Sequence, residues 1–290
     1  MLPRFLVIGA MKAGTTTLYE DLRKHPSIFL PEKELGSLNS DDALTLGGRA
    51  RYGARFGDGH DKQICGEVSA TYAKLPDLPG VVDRASRVLG DRFKVLYLVR
   101  DPVDRVVSHH HHELSRGRLT DTVDTAVRTL PRLIDYTRYG MQIAPWVGLV
   151  GADRVRVVQF EKYVADRAQV LDSVFSFLGV SPLGGTFECL DEVHNPSEGG
   201  RVAVGRVGRL ARSTAYRRVV RPFLPERLRR FGGQAMLSTG APRPDRPAAS
   251  TVDLIIEETE PELRAVSALG GECRPEWDLE KTRQRYAGMH

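Results

Sequence analysis

A lysine, two glycines and three consecutive threonines stand together near the start of the chain, in Phe5-Leu-Val-Ile-Gly9-Ala-Met-Lys12-Ala-Gly14-Thr15-Thr16-Thr17. Gly9 and Gly14 keep the G-x-x-x-x-G spacing of a nucleoside-triphosphate P-loop, and Thr16 stands where that motif has its Ser/Thr. The lysine expected after the second glycine is replaced by Thr15, and a lysine occurs inside the loop instead, at Lys12. An apolar run enters the loop and a helical pattern leaves it, the setting in which backbone N–H groups and a helix N-terminus cradle a phosphate. Gly14, Thr15, Thr16 and Thr17 would supply N–H groups and hydroxyls around one phosphate. A P-loop lysine reaches the β/γ-phosphates. Displaced to position 12, it should meet a group near the phosphate's leaving oxygen, so the ligand implied carries phosphate but is not an ordinary triphosphate. The bland alternative is a Gly-rich turn with a solvated lysine.

A second block is Leu98-Val-Arg100-Asp101-Pro102-Val-Asp104-Arg105-Val-Val-Ser108. An arginine at the C-terminal end of a parallel strand lies on the ligand-binding edge of an α/β sheet. Ser108 follows Asp101 by two helical turns, so its hydroxyl could face the same side, and Arg with Ser makes a clamp for a second phosphate. The alternative is that Arg100 bonds a helix carboxylate while Asp101 caps the helix.

Together the two blocks, about eighty residues apart, resemble the sulfotransferase family, and within it bacterial enzymes similar to the heparan-sulfate sulfotransferases. The resemblance is specific through residues 4–35 and 93–112, looser to residue 180 and faint beyond. It implies 3′-phosphoadenosine 5′-phosphosulfate (PAPS) as co-substrate, released as adenosine 3′,5′-bisphosphate, and no metal. It places Lys12, Ala13, Gly14, Thr15, Thr16 and Thr17 on the 5′-phosphosulfate and Arg100 and Ser108 on the 3′-phosphate. Such a donor needs a cation beside the oxygen bridging phosphorus and sulfur, where negative charge builds as the bond to sulfur breaks. That accounts for the displaced lysine.

Sulfuryl transfer to a hydroxyl or amine is an in-line displacement in which the acceptor loses a proton, so a general base is useful. The resemblance points to Glu34 in Leu30-Pro-Glu32-Lys33-Glu34-Leu35, with Glu32 as the fallback and a pair of surface charges as the bland reading. The sequence departs from the family where Gly36-Ser37-Leu38 stands in place of aromatic residues. His112 lies four residues after Ser108, on the same helix face, and matches the heparan-sulfate-type pattern as a contributor to the acceptor side. His109, His110 and His111 read as surface or packing residues, since consecutive histidines on a helix point in different directions and none forms an i,i+4 metal pair. Glu67 and Tyr72, in Gly66-Glu-Val-Ser-Ala-Thr-Tyr72, resemble a family segment that touches the acceptor, with a structural hydrogen bond as the alternative. Arg201, in Asn195-Pro-Ser-Glu-Gly-Gly-Arg201, resembles the late loop that closes over the donor nucleotide, or is a solvated arginine.

These groups require an α/β fold: a single P-loop-like domain with a central parallel sheet flanked by helices. Apolar runs at Arg4–Ile8, Ile28–Leu30, Ile64–Val68, Phe93–Val99 and Val155–Phe160 read as strands. Thr15–Lys24, Gly80–Leu89, Pro102–Ser115, Tyr139–Leu149 (interrupted by Pro145), Ala165–Leu178 and Leu254–Leu269 read as helices, with Asp101 an N-cap and Pro102 in the first turn. Strands separated by helices give parallel pairing with right-handed crossovers. Residues 36–63 read as loop with short helical pieces, and 181–250 as irregular and basic. The expected organisation is one sulfotransferase domain over 1–290, with its core at 1–180 and an elaboration at 181–290.

The totals are consistent with this. The chain has 290 residues, 41% hydrophobic and 27% charged, as in a globular protein. A net charge of +5 suits an anionic ligand without requiring nucleic acid. Three cysteines, at 65, 189 and 273 and with no C-x-x-C spacing, read as reduced thiols of a cytoplasmic protein. The chain enters its first strand with no room for a signal peptide, and no apolar run approaches the ~18 residues of a transmembrane helix. Two other functions fit the same loop. One is a P-loop kinase or NTPase, disfavoured by Thr15 and by the lack of a strand ending in a Mg²⁺-binding aspartate. The other is a non-catalytic nucleotide-binding protein of the same fold. The acceptor expected from the family is a carbohydrate, glycolipid or glycosylated natural product, and the sequence fixes no oligomeric state.

Overall fold

The computed structural model describes residues 2–59, 63–184, 244–269 and 275–288. Its centre is a five-stranded sheet in the order β2-β3-β1-β4-β5. The strands are β1 (Phe5–Gly9), β2 (Ile28–Phe29), β3 (Ile64–Val68), β4 (Lys94–Val99) and β5 (Val155–Gln159). All pairings are parallel, with Phe5 opposite Gly66 on one side and Lys94 on the other. Both faces are covered, and β1 and, after Lys94, β4 are correspondingly apolar and buried.

Strand order decides where a ligand can sit. The chain leaves β1 toward β2 and β3 on one side, and leaves β4 toward β5 on the other. Between the C-terminal ends of β1 and β4 the connections diverge, which opens the crevice used by doubly wound sheets. The loop carrying Lys12 and the turn carrying Arg100 form its two lips.

Helices pack on both faces: α1 (Thr15–Leu22), α2 (Leu46–Ala54), α3 (Val81–Leu89), α4 (Pro102–Ser115), α5 (Val123–Thr129), α6 (Arg132–Asp135), α7 (Tyr139–Val150), α8 (Phe160–Ala165), α9 (Arg167–Leu178), α10 (Ala249–Ala268) and α11 (Leu279–Ala287). The main core surrounds the sheet. A second cluster joins Val103, Val106 and Val107 of α4 to Val123 and Val127 of α5, Leu133 of α6 and Ile255 and Ile256 of α10. No helix among the described residues is long and apolar enough to cross a membrane.

Several boundaries differ from the sequence reading. α7 runs through Pro145 rather than breaking there. The helix expected over 165–178 starts at Arg167 as α9, where the Asp166 side chain caps it by accepting from the Gln169 amide at 3.1 Å, and a separate short helix, α8, takes Phe160–Ala165, beginning at the residue expected to end β5. α10 begins at Ala249, five residues before the expected start at 254. α2, α5, α6 and α11 were not anticipated as defined helices. Cys65 is buried and in no disulfide; Cys189, Cys273 and residues 185–243 of segment 181–250 lie outside the described residues.

α1 is fastened by a charge pair rather than by its own length. Asp21 is fully buried and receives the Arg167 guanidinium in two bonds, at 2.7 and 2.8 Å, and the Tyr163 hydroxyl. This ties α1 to α8 and α9 and thereby fixes the direction of its N-terminus. Removing one partner of a buried pair leaves the other uncompensated, at a cost of about 3–5 kcal/mol. Asp21→Ala is therefore expected to lower unfolding free energy by about 3 kcal/mol in urea titration; a change under about 0.5 kcal/mol, the range of an ordinary surface substitution, would contradict this role.

Candidate active site

The loop between β1 and α1 is held by two arginines from α4 and its preceding turn. Arg105 is fully buried. It donates to Thr137 Oγ1 at 2.6 Å and Leu133 O at 2.5 Å, and reaches Met11 O at 3.4 Å. Arg100 reaches the next carbonyl, Lys12 O, at 3.4 Å and lies over the Phe160 ring, 4.9 Å from its centroid. Each peptide is planar with its N–H opposite its C=O. Turning the Met11 carbonyl toward Arg105 thus turns the Lys12 amide away from it.

The loop backbone is unusual where the chemistry was expected. Lys12 has φ 71° and Glu34 φ 64°, and these are the non-glycine residues with positive φ among the described residues. A side-chain-bearing residue in the left-handed region costs about 1–2 kcal/mol, and such strain collects at functional sites. Gly14 completes the loop at φ 91°. A Cβ there would lie 2.6 Å from the Phe160 ring, so glycine is required on two counts. Gly14 caps α1 without a side chain, and helix geometry leaves the N–H groups of Thr15, Thr16 and Thr17 without intrahelical acceptors. Ala13 donates its own amide back to Ala10 O at 3.1 Å. Thr15 and Thr17 are buried and Thr16 is half-buried.

The electrostatics call for an anion. Burial, followed by the charges of Arg100, Arg116, Lys33 and Arg105, holds the Lys12 ammonium below the ordinary lysine range. The leading charges acting on Lys12 are all cationic. No carboxylate forms an ion pair with Arg105 among the described residues. Arg100 meets Asp104 only at 4.0 Å, and its Nε is buried without a partner. Asp104 is drawn instead toward α11, by Arg285 at 2.9 Å and Tyr286 at 2.7 Å. Asp101 caps α4 by accepting from the Asp104 amide at 3.0 Å, and its other oxygen takes the Thr282 hydroxyl at 2.5 Å. Ser108 is buried on α4, two turns beyond Asp101.

Glu34 lies on the other side of the loop. Its carboxylate meets Lys33 Nζ at 2.5 Å and, more distantly, Ser69 Oγ at 3.4 Å. Lys33 in turn acts on Lys12, which links Glu34 to the loop. Glu32 pairs with Arg55 at 2.8 Å, both more than half exposed, and belongs to the surface. His112 is half-buried. Burial, then Lys12, Arg116, Arg118 and Lys74, push its imidazole down to about 4. His109 and His110 are packing residues: His109 stacks on Tyr136 at 5.6 Å, and His110 Nε2 meets Asp121 O at 2.8 Å. Glu67 has no exposure, and both its oxygens are taken by Tyr52 and Tyr72 at 2.5 Å. These two acceptor candidates therefore meet each other rather than the cleft. Arg201 lies outside the described residues.

Three contributors were not singled out from sequence. Arg105 carries the one available signal, an arginine among Val103, Val106 and Val107 on an apolar helix face. Lys74, half-buried over the Tyr136 ring at 5.6 Å, and Arg116 add to the cationic wall beside His112.

The chain matches the Sulfotransferase domain family over residues 2–194 and belongs to it. It is 28% identical over 203 residues to the bifunctional heparan sulfate N-deacetylase/N-sulfotransferase 4 of Mus musculus, covering 62% of this chain and 23% of that protein. It is 27% identical over 192 residues to the heparan sulfate glucosamine 3-O-sulfotransferase 3A1 of Mus musculus, covering 62% of this chain and 46% of that one. The matches thus span about a quarter to a half of these relatives. A sulfotransferase from Alicyclobacillus acidocaldarius has the same fold, with TM-score 0.56 at 23% identity over 72% of this chain and 89% of that one.

The depressed His112 has a measurable consequence. Between the ordinary histidine value near 6.5 and its own of about 4, the unfolded chain binds a proton that the folded chain refuses. Its contribution to stability is therefore present above pH 6.5 and is lost as pH falls toward 4. The His112 imidazole is expected not to titrate between pH 5.5 and 8 by NMR, and to titrate higher in Lys12→Ala, where the leading charge acting against its protonation is gone. An ordinary midpoint in the wild type would contradict the cationic surroundings assigned to it.

Proposed function

We propose that this member of the sulfotransferase family moves a sulfuryl group from PAPS to a hydroxyl or amine of an acceptor. The observation that carries the reading is the crevice between β1 and β4, where burial and neighbouring cations act together on Lys12, Arg105 has no carboxylate partner among the described residues, and the N-terminus of α1 has no side-chain cap. A ligand with two separated phosphate groups fits that chemistry. The amides of Gly14 to Thr17 and the threonine hydroxyls would hold one phosphate. Arg100, with its unpartnered Nε, and Ser108 would hold the other.

The donor supplies the sulfuryl group and a phosphate as leaving group. Lys12 would stand beside the leaving oxygen and neutralise the charge that gathers there, with Arg105 beneath the loop holding the lysine's backbone in place. Glu34 would accept the proton that the acceptor hydroxyl loses on attack. His112, uncharged at neutral pH by the balance above, would serve the acceptor as a neutral hydrogen-bonding group. Asp101 caps α4 and bonds Thr282, which leaves it poorly disposed to hold Mg²⁺ as a kinase or NTPase would require. The acceptor side is bounded by Glu34, His112, Lys74 and Arg116, a polar wall suited to a hydroxyl-rich molecule such as a glycan or glycolipid. Two of the relatives are named for heparan sulfate, and the glycan reading rests partly on them.

Calorimetry with adenosine 3′,5′-bisphosphate, ATP and GTP tests the donor. The bisphosphate should bind, and Arg100→Ala should weaken it by about 2–3 kcal/mol, the worth of a lost charge-assisted contact. Tight binding of Mg·ATP with none of the bisphosphate would overturn the reading. In transfer of radiolabelled sulfate from PAPS, Lys12→Ala should lower turnover by about 10²–10³, the usual loss when one transition-state donor is removed; unchanged turnover would refute its role.

A further inference from the structure

The turn that carries Glu34 cannot hold itself. Glu34 and Gly36 both sit in the left-handed region, at φ 64° and 62°. The Glu34 amide donates to Val68 O at 2.8 Å. The Gly36 amide donates to the carboxylate of Glu67, and the Leu38 amide to the hydroxyl of Tyr72, at 3.2 Å. Tyr72 then donates to Glu67 Oε1 and Tyr52, from α2, to Glu67 Oε2. The amides of Gly36 and Leu38 therefore converge, directly or through one phenol, on a single buried carboxylate of β3, next to the Val68 carbonyl that holds the Glu34 amide.

We infer that Glu67 is a positioning residue for the acceptor-side chemistry: as an anion between Tyr52 and Tyr72 it locks the 34–38 turn in the conformation that presents Glu34 to the cleft. Every group hydrogen-bonded to this carboxylate is a donor. An ionised carboxylate only accepts, so the array closes around the anion. A protonated Glu67 keeps a carbonyl oxygen for one phenol but sets an O–H where the other phenol donates, and its remaining bonds lose their charge assistance. Protonation would weaken the array that holds the turn.

The same burial makes the lock sensitive to pH. The groups facing Glu67 are the Tyr52 hydroxyl of α2, the Tyr72 hydroxyl after β3, and the Gly36 amide and Glu34 carboxylate of the turn. Burial raises the Glu67 carboxyl from its ordinary value to about 7, against the hydrogen bonds from Tyr52, Tyr72 and Gly36, and Glu34 adds to the rise. Between pH 8 and pH 6 the locked fraction falls about tenfold. The proposal rests on Glu34 being the base, and the two ideas fail separately.

The test uses the full chain with Glu67→Gln, Tyr72→Phe and Tyr52→Phe. Hydrogen exchange of peptides spanning 34–39, corrected for intrinsic rate, should show protection in the wild type falling about tenfold from pH 8 to pH 6. That dependence should vanish in Glu67→Gln and Tyr72→Phe, which should be unprotected at both pH values. Tyr52→Phe removes a donor to the Glu67 anion without touching the turn, so the turn's protection should persist at pH 8 and fall away at a higher pH than in the wild type. Affinity for adenosine 3′,5′-bisphosphate should stay within twofold in all three. Hydrolysis of labelled PAPS, with water as acceptor, should lose about tenfold in kcat in Glu67→Gln and Tyr72→Phe with KM unchanged, as an effect on Glu34 alone requires. Equal protection of the turn in wild type and Tyr72→Phe would overturn the inference. So would equal, pH-independent losses in Tyr52→Phe and Tyr72→Phe, which would mark a role in general stability. Undiminished hydrolysis in Glu34→Gln would remove the base assignment while leaving the exchange result intact.

Discussion

Arg105 is the residue around which the rest of the site is organised. It is a fully buried cation with no carboxylate paired to it among the described residues, held by a threonine hydroxyl and by carbonyl oxygens, one of them from the loop above. Burying a charge this way costs several kcal/mol unless its surroundings compensate. Carbonyl dipoles meet part of that cost, and the geometry adopted at Met11 is what turns the Lys12 amide away from the arginine. The positive potential left over joins that of Arg100, Arg116, Lys33 and Lys12 in one crevice. A folded state that gathers this much positive charge around one loop has a place prepared for an anion.

Strain is distributed in the same pattern. Lys12 and Glu34 hold left-handed backbone that alanine or leucine would rarely keep, and each is fixed by contacts from other elements. Arg100 and Arg105 hold the first. The Glu67 carboxylate, through Gly36, Tyr72 and Leu38, holds the second. The two strained residues stand on opposite sides of the loop with Lys33 between them, so the positions proposed for leaving-group and acceptor chemistry are both set by buried charge. α11 contributes from a distance: by taking Asp104 to Arg285 and Tyr286, it keeps that carboxylate from closing on Arg100.

The parallel sheet was legible because its strands are continuous apolar runs broken by loop and helix signals, and Ile64–Val68 was bounded correctly at both ends. The loop was legible because glycine spacing and a strand-to-helix switch are local properties. α2 was not, since Leu46–Ala54 contains Gly47, Gly48 and Gly53, poor helix formers. Thr45 caps it, accepting from the Gly48 amide at 2.9 Å, and Gly48 is needed because a Cβ would fall 1.8 Å from Asp42 O. With α2 unseen, Tyr52 had no place, and the function of Glu67 could not be read. α11 lacks an apolar stripe and is held by side-chain bonds to Asp101 and Asp104, contacts between residues some 180 positions apart. The left-handed backbone of Lys12 and Glu34 is set by tertiary contacts, and neither residue type signals it.

The central claim is that the crevice between β1 and β4 is a preorganised site for two phosphate groups. A crystal structure with adenosine 3′,5′-bisphosphate tests it most directly. The account predicts the 5′-phosphate within ~3 Å of the amides of Gly14 to Thr17, with Lys12 still left-handed and the loop unmoved. It predicts the 3′-phosphate on Arg100 and Ser108. A bisphosphate bound elsewhere, or a loop that must rebuild its backbone to receive it, would contradict the account.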